Sequence, residues 1–120
     1  MRRWLPLLLV LSLVSPAIAQ DARRGQIDYS YAILTKTATY SVAASDGRNV
    51  LVLASNNITI NLYAVASNAG KTVTIKNVGA GAITIDANAS ETIDGALTQT
   101  IASANQSLTL VCTGSAWVLI

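Results

Sequence analysis

Histidine is the most informative residue that this sequence lacks. The chain has 120 residues and no histidine, so it has no imidazole to act as a general base, to complete a serine or cysteine triad, or to bind zinc. This absence excludes most hydrolase designs. We therefore expect a protein that is not an enzyme and that uses no metal and no cofactor.

Cysteine is almost as scarce, because Cys112 is the only one in the chain. A single thiol cannot close an internal disulfide, so stability has to come from packing or from self-association. Cys112 falls on the same face of a predicted strand as Leu108 and Leu110. This position favours a buried, inert thiol over a reactive or crosslinking one.

Charged residues make up only 12% of the chain. The formal net charge of +2 belongs to Arg2 and Arg3, because the other six of the eight basic residues balance the six acidic ones. Without an excess of positive charge, there is no electrostatic reason to expect binding to nucleic acid.

The N-terminus has the composition of a secretory signal peptide. Two arginines precede an apolar run over Trp4–Val14, a break follows at Ser15–Pro16, and the small residues Ala17 and Ala19 stand where a signal peptidase cleaves. The apolar run is too short to cross about 30 Å of hydrocarbon as a helix. A cleaved signal peptide is therefore favoured over an uncleaved N-terminal helix.

Cleavage after Ala19 divides the chain into three predicted parts. These are a signal peptide over residues 1–19, a flexible polar tail over residues 20–26, and one domain over residues 27–120. The exported protein is expected in the periplasm or outside the cell, with no membrane association once the signal peptide is removed.

Beyond the tail, the sequence predicts β-strands. Apolar and polar residues alternate over Ile58–Leu62, Thr72–Lys76, Ile83–Asp86 and Ser107–Cys112, which is the period of a strand with one buried face. Asn49–Leu53 does not alternate and predicts a central strand covered on both faces. Turn residues separate these runs about every ten residues. The pattern predicts an all-β fold, a small antiparallel β-sandwich or jelly-roll-like domain.

Three similar tripeptides raise the question of a repeat. Ile58–Ile60, Val73–Ile75 and Ile83–Ile85 begin fifteen and then ten residues apart, and unequal spacing favours a sandwich over a regular solenoid. A flat threonine-rich face can order water, but β propensity on a solvated face is the simpler interpretation. The threonines predicted on polar strand faces are Thr59, Thr72, Thr74, Thr84 and Thr109.

Three acidic residues are the candidates for an alternative, enzymatic function. Asp86, Glu91 and Asp94 lie close together in sequence, and a pair of carboxylates is the catalytic equipment of a glycosidase. A small carboxylate-based glycan-active enzyme is therefore the second hypothesis. Asp86 and Asp94 flank predicted turns, however, where acidic residues are common for backbone reasons.

Polar turns offer two further interpretations. Asp86–Ser90 partly resembles a calcium loop, but the glycine and the bidentate glutamate of such a loop are missing. Asn57, Asn88 and Asn105 each begin an Asn-X-Ser/Thr glycosylation pattern. In each case a turn is the favoured interpretation.

Three residues are candidates for ligand contact: Tyr63, Asn88 and Trp117. An exposed tryptophan can stack on a sugar ring, whereas a lone tryptophan in a terminal strand more often closes a core. The terminal run Ala116–Ile120 is apolar and has no charged residue. We therefore expect it to form an open edge strand that is protected by burial in a neighbouring chain.

The order of these signals resembles a β module of bacteriophage tail-fibre and related virion structural proteins. The likeness covers residues 35–120, and a proline often follows the leucine that corresponds to Leu62, where this chain has Tyr63. The segments that carry the resemblance are Thr39–Val42, Ser45–Gly47, Ile58–Leu62, Gly70–Asn77, Glu91–Gly95 and Leu108–Trp117.

This resemblance implies a β-sandwich that often works as a trimer, with strand ends and loops facing a ligand. It supplies no catalytic residue, and a shared fold bears on architecture more than on function. We therefore expect a secreted structural or adhesion module, a homo-oligomer, that acts through protein–protein contacts or contacts with a surface glycan.

Overall fold

The computed structural model describes residues 30–120. The predicted signal peptide, the predicted tail and the first three residues of the predicted domain lie outside the described residues. Within residues 30–120, no helix has the length and apolar character needed to cross a membrane.

The described chain consists of strands joined by short turns, with one turn of 3-10 helix at Ala44–Asp46. The strands are β1 (Ala32–Lys36), β2 (Tyr40–Ser41), β3 (Asn49–Ala54), β4 (Thr59–Asn61), β5 (Thr72–Asn77), β6 (Ile83–Asp86), β7 (Thr98–Ile101), β8 (Ser107–Cys112) and β9 (Trp117–Leu119).

The strands form two sheets. The first sheet has the order β1-β3-β5-β8-β9, and the second has the order β2-β4-β6-β7. Up to β6, consecutive strands alternate between the sheets, so the chain winds around a shared interior. The predicted all-β class is therefore confirmed, with two sheets enclosing one core.

The predicted antiparallel pairing is wrong for four of the seven strand pairs. β1–β3, β3–β5, β2–β4 and β4–β6 are parallel, whereas β5–β8, β6–β7 and β8–β9 are antiparallel. Parallel neighbours need a crossover of a dozen or more residues. Here the intervening strand of the opposite sheet serves as that crossover, so short spacing between turns does not require hairpins.

The unequal tripeptide spacing has the same explanation. Ile58–Ile60 and Ile83–Ile85 run through neighbouring strands of the second sheet, where Ile60 and Ile85 are register partners. Val73–Ile75 lies in the first sheet, next to Val50–Val52. The fifteen- and ten-residue separations therefore reflect alternation of the chain between the two sheets. They are compatible with a chain that coils around one core.

The core lies between the sheets, and the strand period determines which side chains enter it. β3 alternates between buried and half-buried residues, with Val50, Val52 and Ala54 facing inward, and it lies centrally between β1 and β5. Each fully buried Val, Ile or Leu contributes about 1.5–3 kcal/mol to stability. The fully buried side chains include Val50, Val52, Ile60, Val73, Ile75, Ile83, Ile85, Ile93, Leu110, Cys112 and Trp117.

Asn77 is the buried polar residue of the described core, with none of its surface exposed. Its Nδ2 donates to the carbonyl oxygens of Gly81 and Ile101, and its Oδ1 accepts the Gly79 N–H at 3.0 Å. These bonds satisfy the amide, as a buried polar group requires. They connect the end of β5 to the turn before β6 and to the end of β7.

The turns between the sheets stack on one another from coil to coil. The Asn57 Oδ1 accepts the Ala82 N–H at 2.8 Å, and a Cβ at Gly81 would lie 2.8 Å from the Asn57 backbone nitrogen. Asn57 and Asn105 have positive φ angles of 53° and 68°, which confirms that they are turn residues.

The terminal strand β9 is not an open edge, contrary to expectation. The Trp117 N–H donates to the Thr92 carbonyl at 2.9 Å, the Asp94 N–H donates to the Trp117 carbonyl at 3.0 Å, and the Leu119 N–H donates to Asp94 Oδ1 at 3.1 Å. The segment before β7 therefore covers this edge within the same chain.

Candidate binding surface

The outer side of the second sheet presents polar side chains in register, and we call it the polar face. Thr84 of β6 lies opposite Thr59 of β4 on one side and Thr100 of β7 on the other. A second row, two residues further along the strands, contains Asn61, Asp86 and Thr98. These six residues define the polar face.

The register of the polar face is regular, although the sequence spacing of its threonines is not. Neighbouring strands lie about 4.8 Å apart, and alternate residues along a strand lie about 6.7 Å apart. The Thr39 hydroxyl accepts the Thr59 N–H at 3.2 Å, and the Asn61 amide donates to the Ser41 hydroxyl at 3.3 Å. These bonds continue the polar rows to the β2 side of the sheet.

A groove lies beside the polar face, where the end of β7 approaches the start of β8. It has a volume of about 250 Å³ and is open to solvent on one side. Thr100 and Ser107 contribute hydroxyl groups, Gln106 contributes an amide, and Ile101 and Leu108 form the apolar part. We call these five residues the β7–β8 groove.

The outer side of the first sheet has a different chemistry. Ile33 on β1 is 63% exposed, and Leu51 and Leu53 on β3 are half-buried. The hydroxyls of Thr74 and Thr109 lie 3.1 Å apart and hydrogen bond to each other. The aliphatic residues of this side therefore lie on β1 and β3, and its threonines lie on β5 and β8.

Tyr63 and Trp117, two of the predicted contact residues, lie inside the core. Trp117 has no exposed surface, and the two rings meet edge to face with their centroids 5.1 Å apart. Trp117 therefore closes the core, as the alternative interpretation expected. Asn88, the third candidate, is exposed in a turn in which its carbonyl accepts the Glu91 N–H at 2.9 Å.

Two buried polar atoms in this aromatic pair have no hydrogen-bond partner among the described residues: the Tyr63 hydroxyl and the Trp117 Nε1. Burial raises the pKa of Tyr63 to about 12, and the nearby Cys112 thiol adds to the effect. Cys112 is itself buried, with its Sγ 3.5 Å from the Val65 carbonyl oxygen. The predicted buried thiol is therefore confirmed.

The three candidate carboxylates of the enzymatic hypothesis occupy separate positions. Both carboxylate oxygens of Glu91 accept the Val65 N–H, at 3.2 and 3.3 Å, and Asp94 accepts the N–H of Leu119. Asp86 lies on the polar face. None of the three lines the β7–β8 groove, and no group of three or more His, Cys, Asp or Glu residues suited to a metal occurs within residues 30–120.

The sequence did not indicate Thr100, Gln106 and Ser107 as a group. β7 is the short strand Thr98–Ile101, and a short turn joins it to β8. These residues are therefore close in the sequence, but no local pattern shows that the chain changes sheet between the two strands. The alternation of Thr98 and Thr100 with Gln99 and Ile101 was the available signal, because it indicates a strand with two outward threonines.

Comparison of the sequence with family models and with curated proteins supplies no relative from which a function could be taken. The chain matches no family model, and no curated protein matches its sequence.

Proposed function

We propose that this chain is a secreted, non-catalytic structural or adhesion module, similar in role to the tail-fibre modules that it resembles, and that it binds a surface glycan through the β7–β8 groove. The observation that carries the proposal is that two hydroxyl residues and one amide residue line the groove together with the aliphatic Leu108. Sugar rings present the same combination, with hydroxyl groups at the edge and C–H groups on the face.

The hydrogen-bonding capacity of the groove suits a polyol. Thr100 and Ser107 can each donate and accept, and the Gln106 amide supplies two donors and an acceptor. Leu108, which is partly buried, offers the aliphatic contact, because Ile101 is only 2% exposed. The volume of about 250 Å³ is slightly smaller than the usual range for drug-sized ligands, about 300–1,000 Å³, and it suits a single ring of a longer glycan.

A single ring should bind weakly. No aromatic or charged side chain lines the groove, so we expect a dissociation constant of about 1 mM, equivalent to about 4 kcal/mol. Adhesion would then depend on several copies binding together, because linked sites raise the overall affinity without new contacts. We therefore propose in addition that the protein is a homo-oligomer.

The test is a glycan array followed by NMR titration of the best-binding oligosaccharide. Gln106→Ala and Ser107→Ala should each weaken binding at least several-fold. Thr109→Val is the matched control, because Thr109 lies on the same strand as Ser107 but outside the groove. Binding that survives both groove variants, or that Thr109→Val abolishes equally, would contradict the proposed site.

A further inference from the structure

β1 is the edge of the first sheet, and no segment of residues 30–120 is paired with its outer side. The opposite edge, β9, is covered by the Thr92–Asp94 segment. The corresponding edge of the second sheet is the two-residue strand β2, near which the Asp46 carboxylate binds the Tyr40 hydroxyl and the Ala43 N–H. β1 is longer than β2, with five residues, and it contains no acidic residue.

The backbone of β1 is oriented for pairing on its open side. The Lys36 carbonyl accepts the Ser55 N–H at 3.1 Å, so Lys36 directs its backbone groups toward β3. Because backbone direction alternates along a strand, Ala32 and Leu34 also face β3, whereas Ile33 and Thr35 direct their N–H and C=O groups outward. Such a row of backbone groups, unpaired within the part of the chain that the structure describes, is a template for another strand.

The side chains along this edge do not prevent pairing. Ile33 is 63% exposed and Tyr31 is 50% exposed, and the strand contains no proline. Its one charge, Lys36, stands at the end of the strand, where its ammonium lies 3.8 Å from the centroid of the Tyr40 ring. This cation–π contact holds the charge near β2.

We propose that two copies of this chain pair through β1, antiparallel about a twofold axis at Leu34, so that the two first sheets join into one. This inference builds on the self-association in the proposed function, and it assigns the surface and the symmetry. An isologous contact of this kind uses the same residues on both copies.

The strand is self-complementary in this register. Ile33 lies opposite Thr35 of the second copy, and because both direct their backbone groups outward, each such pair exchanges two N–H···O bonds. Leu34 lies opposite Leu34 of the second copy, on the inner side of the joined sheet. The two inward faces therefore continue the apolar layer from one copy to the other.

The charges are compatible with the same register. Lys36 lies opposite Ala32 of the second copy, so the Cα atoms of the two Lys36 residues are separated by four residues along the strand, about 13 Å. This separation exceeds the Debye length of about 8 Å at physiological ionic strength. Repulsion between the two lysines is therefore largely screened.

The test is the molar mass of the purified protein by sedimentation velocity and light scattering over a wide concentration range. Wild type should give twice the mass of the chain. Thr35→Pro should give the single mass with an unchanged β-sheet circular dichroism spectrum, because proline is tolerated where the N–H faces away from the sheet. Ile33→Lys should also give a monomer, whereas Thr84→Lys, which places the same charge on the polar face, should stay dimeric.

The outcomes separate this inference from the proposed function. A monomeric wild type at all concentrations would overturn both the β1 contact and the proposed self-association. A trimer, or a dimer that persists in Thr35→Pro and Ile33→Lys, would overturn the β1 contact and leave self-association in place. Glycan binding by the β7–β8 groove is measured on residues outside β1, so its failure is detected independently.

Discussion

The hydroxyl of Tyr63 leads to a counterintuitive prediction, that removing it does not destabilise the protein. Tyr63 is 8% exposed, and its hydroxyl oxygen is buried with no hydrogen-bond partner among the described residues. A buried hydroxyl without a partner costs about 1–3 kcal/mol. Tyr63→Phe removes that cost and keeps the ring, including its edge-to-face contact with Trp117.

The expected gain in the free energy of unfolding is therefore about 1–2 kcal/mol, allowing for partial relaxation around the hydroxyl. For a domain of this size, each kcal/mol corresponds to about 4–8 °C in Tm. Urea unfolding followed by circular dichroism, at one fixed protein concentration, measures the change. Tyr31→Phe is the matched control: Tyr31 is 50% exposed, and we expect a change within about 0.5 kcal/mol.

The same side chain predicts a pH dependence at alkaline pH. Tyr63 has a pKa of about 12 in the folded protein, against 10.0 for an ordinary tyrosine. Between these values the unfolded chain has lost the proton and the folded chain retains it, so the contribution of Tyr63 is present below pH 10 and is lost as the pH rises toward 12. The stability difference between Tyr63→Phe and wild type should therefore widen over this range.

A phenylalanine variant that is less stable than wild type by more than about 0.5 kcal/mol would refute the reasoning, because the hydroxyl would then have a partner.

Three further predictions concern the core and the stacked turns. Asn77→Ala should lower the free energy of unfolding by about 2–4 kcal/mol in urea titration, because it removes three hydrogen bonds and leaves buried backbone groups unpaired; a loss below 1 kcal/mol would show that those bonds contribute little. Gly81→Ala should cost about 1–3 kcal/mol, since the added Cβ would lie 2.5 Å from Asn57 Oδ1. Gly95→Asn should cost less in a melting experiment, because its Cβ meets no atom within 4 Å and asparagine tolerates the positive φ of 86° better than other side chains do. Cys112, which is 1% exposed, should react with a thiol reagent only as fast as the protein opens; rapid labelling of the native protein would contradict its burial.

Some features of the fold could be predicted from residue spacing, whereas others depend on the tertiary arrangement. Leu108, Leu110 and Cys112 could be assigned to one face from their spacing, and the structure places Leu110 and Cys112 in the core with Leu108 packed against it. By contrast, the turn between β7 and β8 brings Thr100 and Gln106 near each other, but the crossing from one sheet to the other decides that they line one groove. The sequence also could not predict that the Tyr63 hydroxyl and the Trp117 Nε1 lack hydrogen-bond partners within the described residues. Whether a buried atom finds a partner depends on every residue that surrounds it in the core.

The sequence by itself determined the all-β class, the division of side chains between inside and outside, and the positions of many turns, because alternation and turn chemistry act between residues close in the chain. The tertiary structure decided which strands are neighbours and in which direction they run. The stretch over residues 37–48 allows either a return to the same sheet or a crossing to the other one, and this choice depends on how the coils pack together. The same packing decided that Thr92–Asp94 covers β9, whereas no segment within residues 30–120 covers the outer edge of β1.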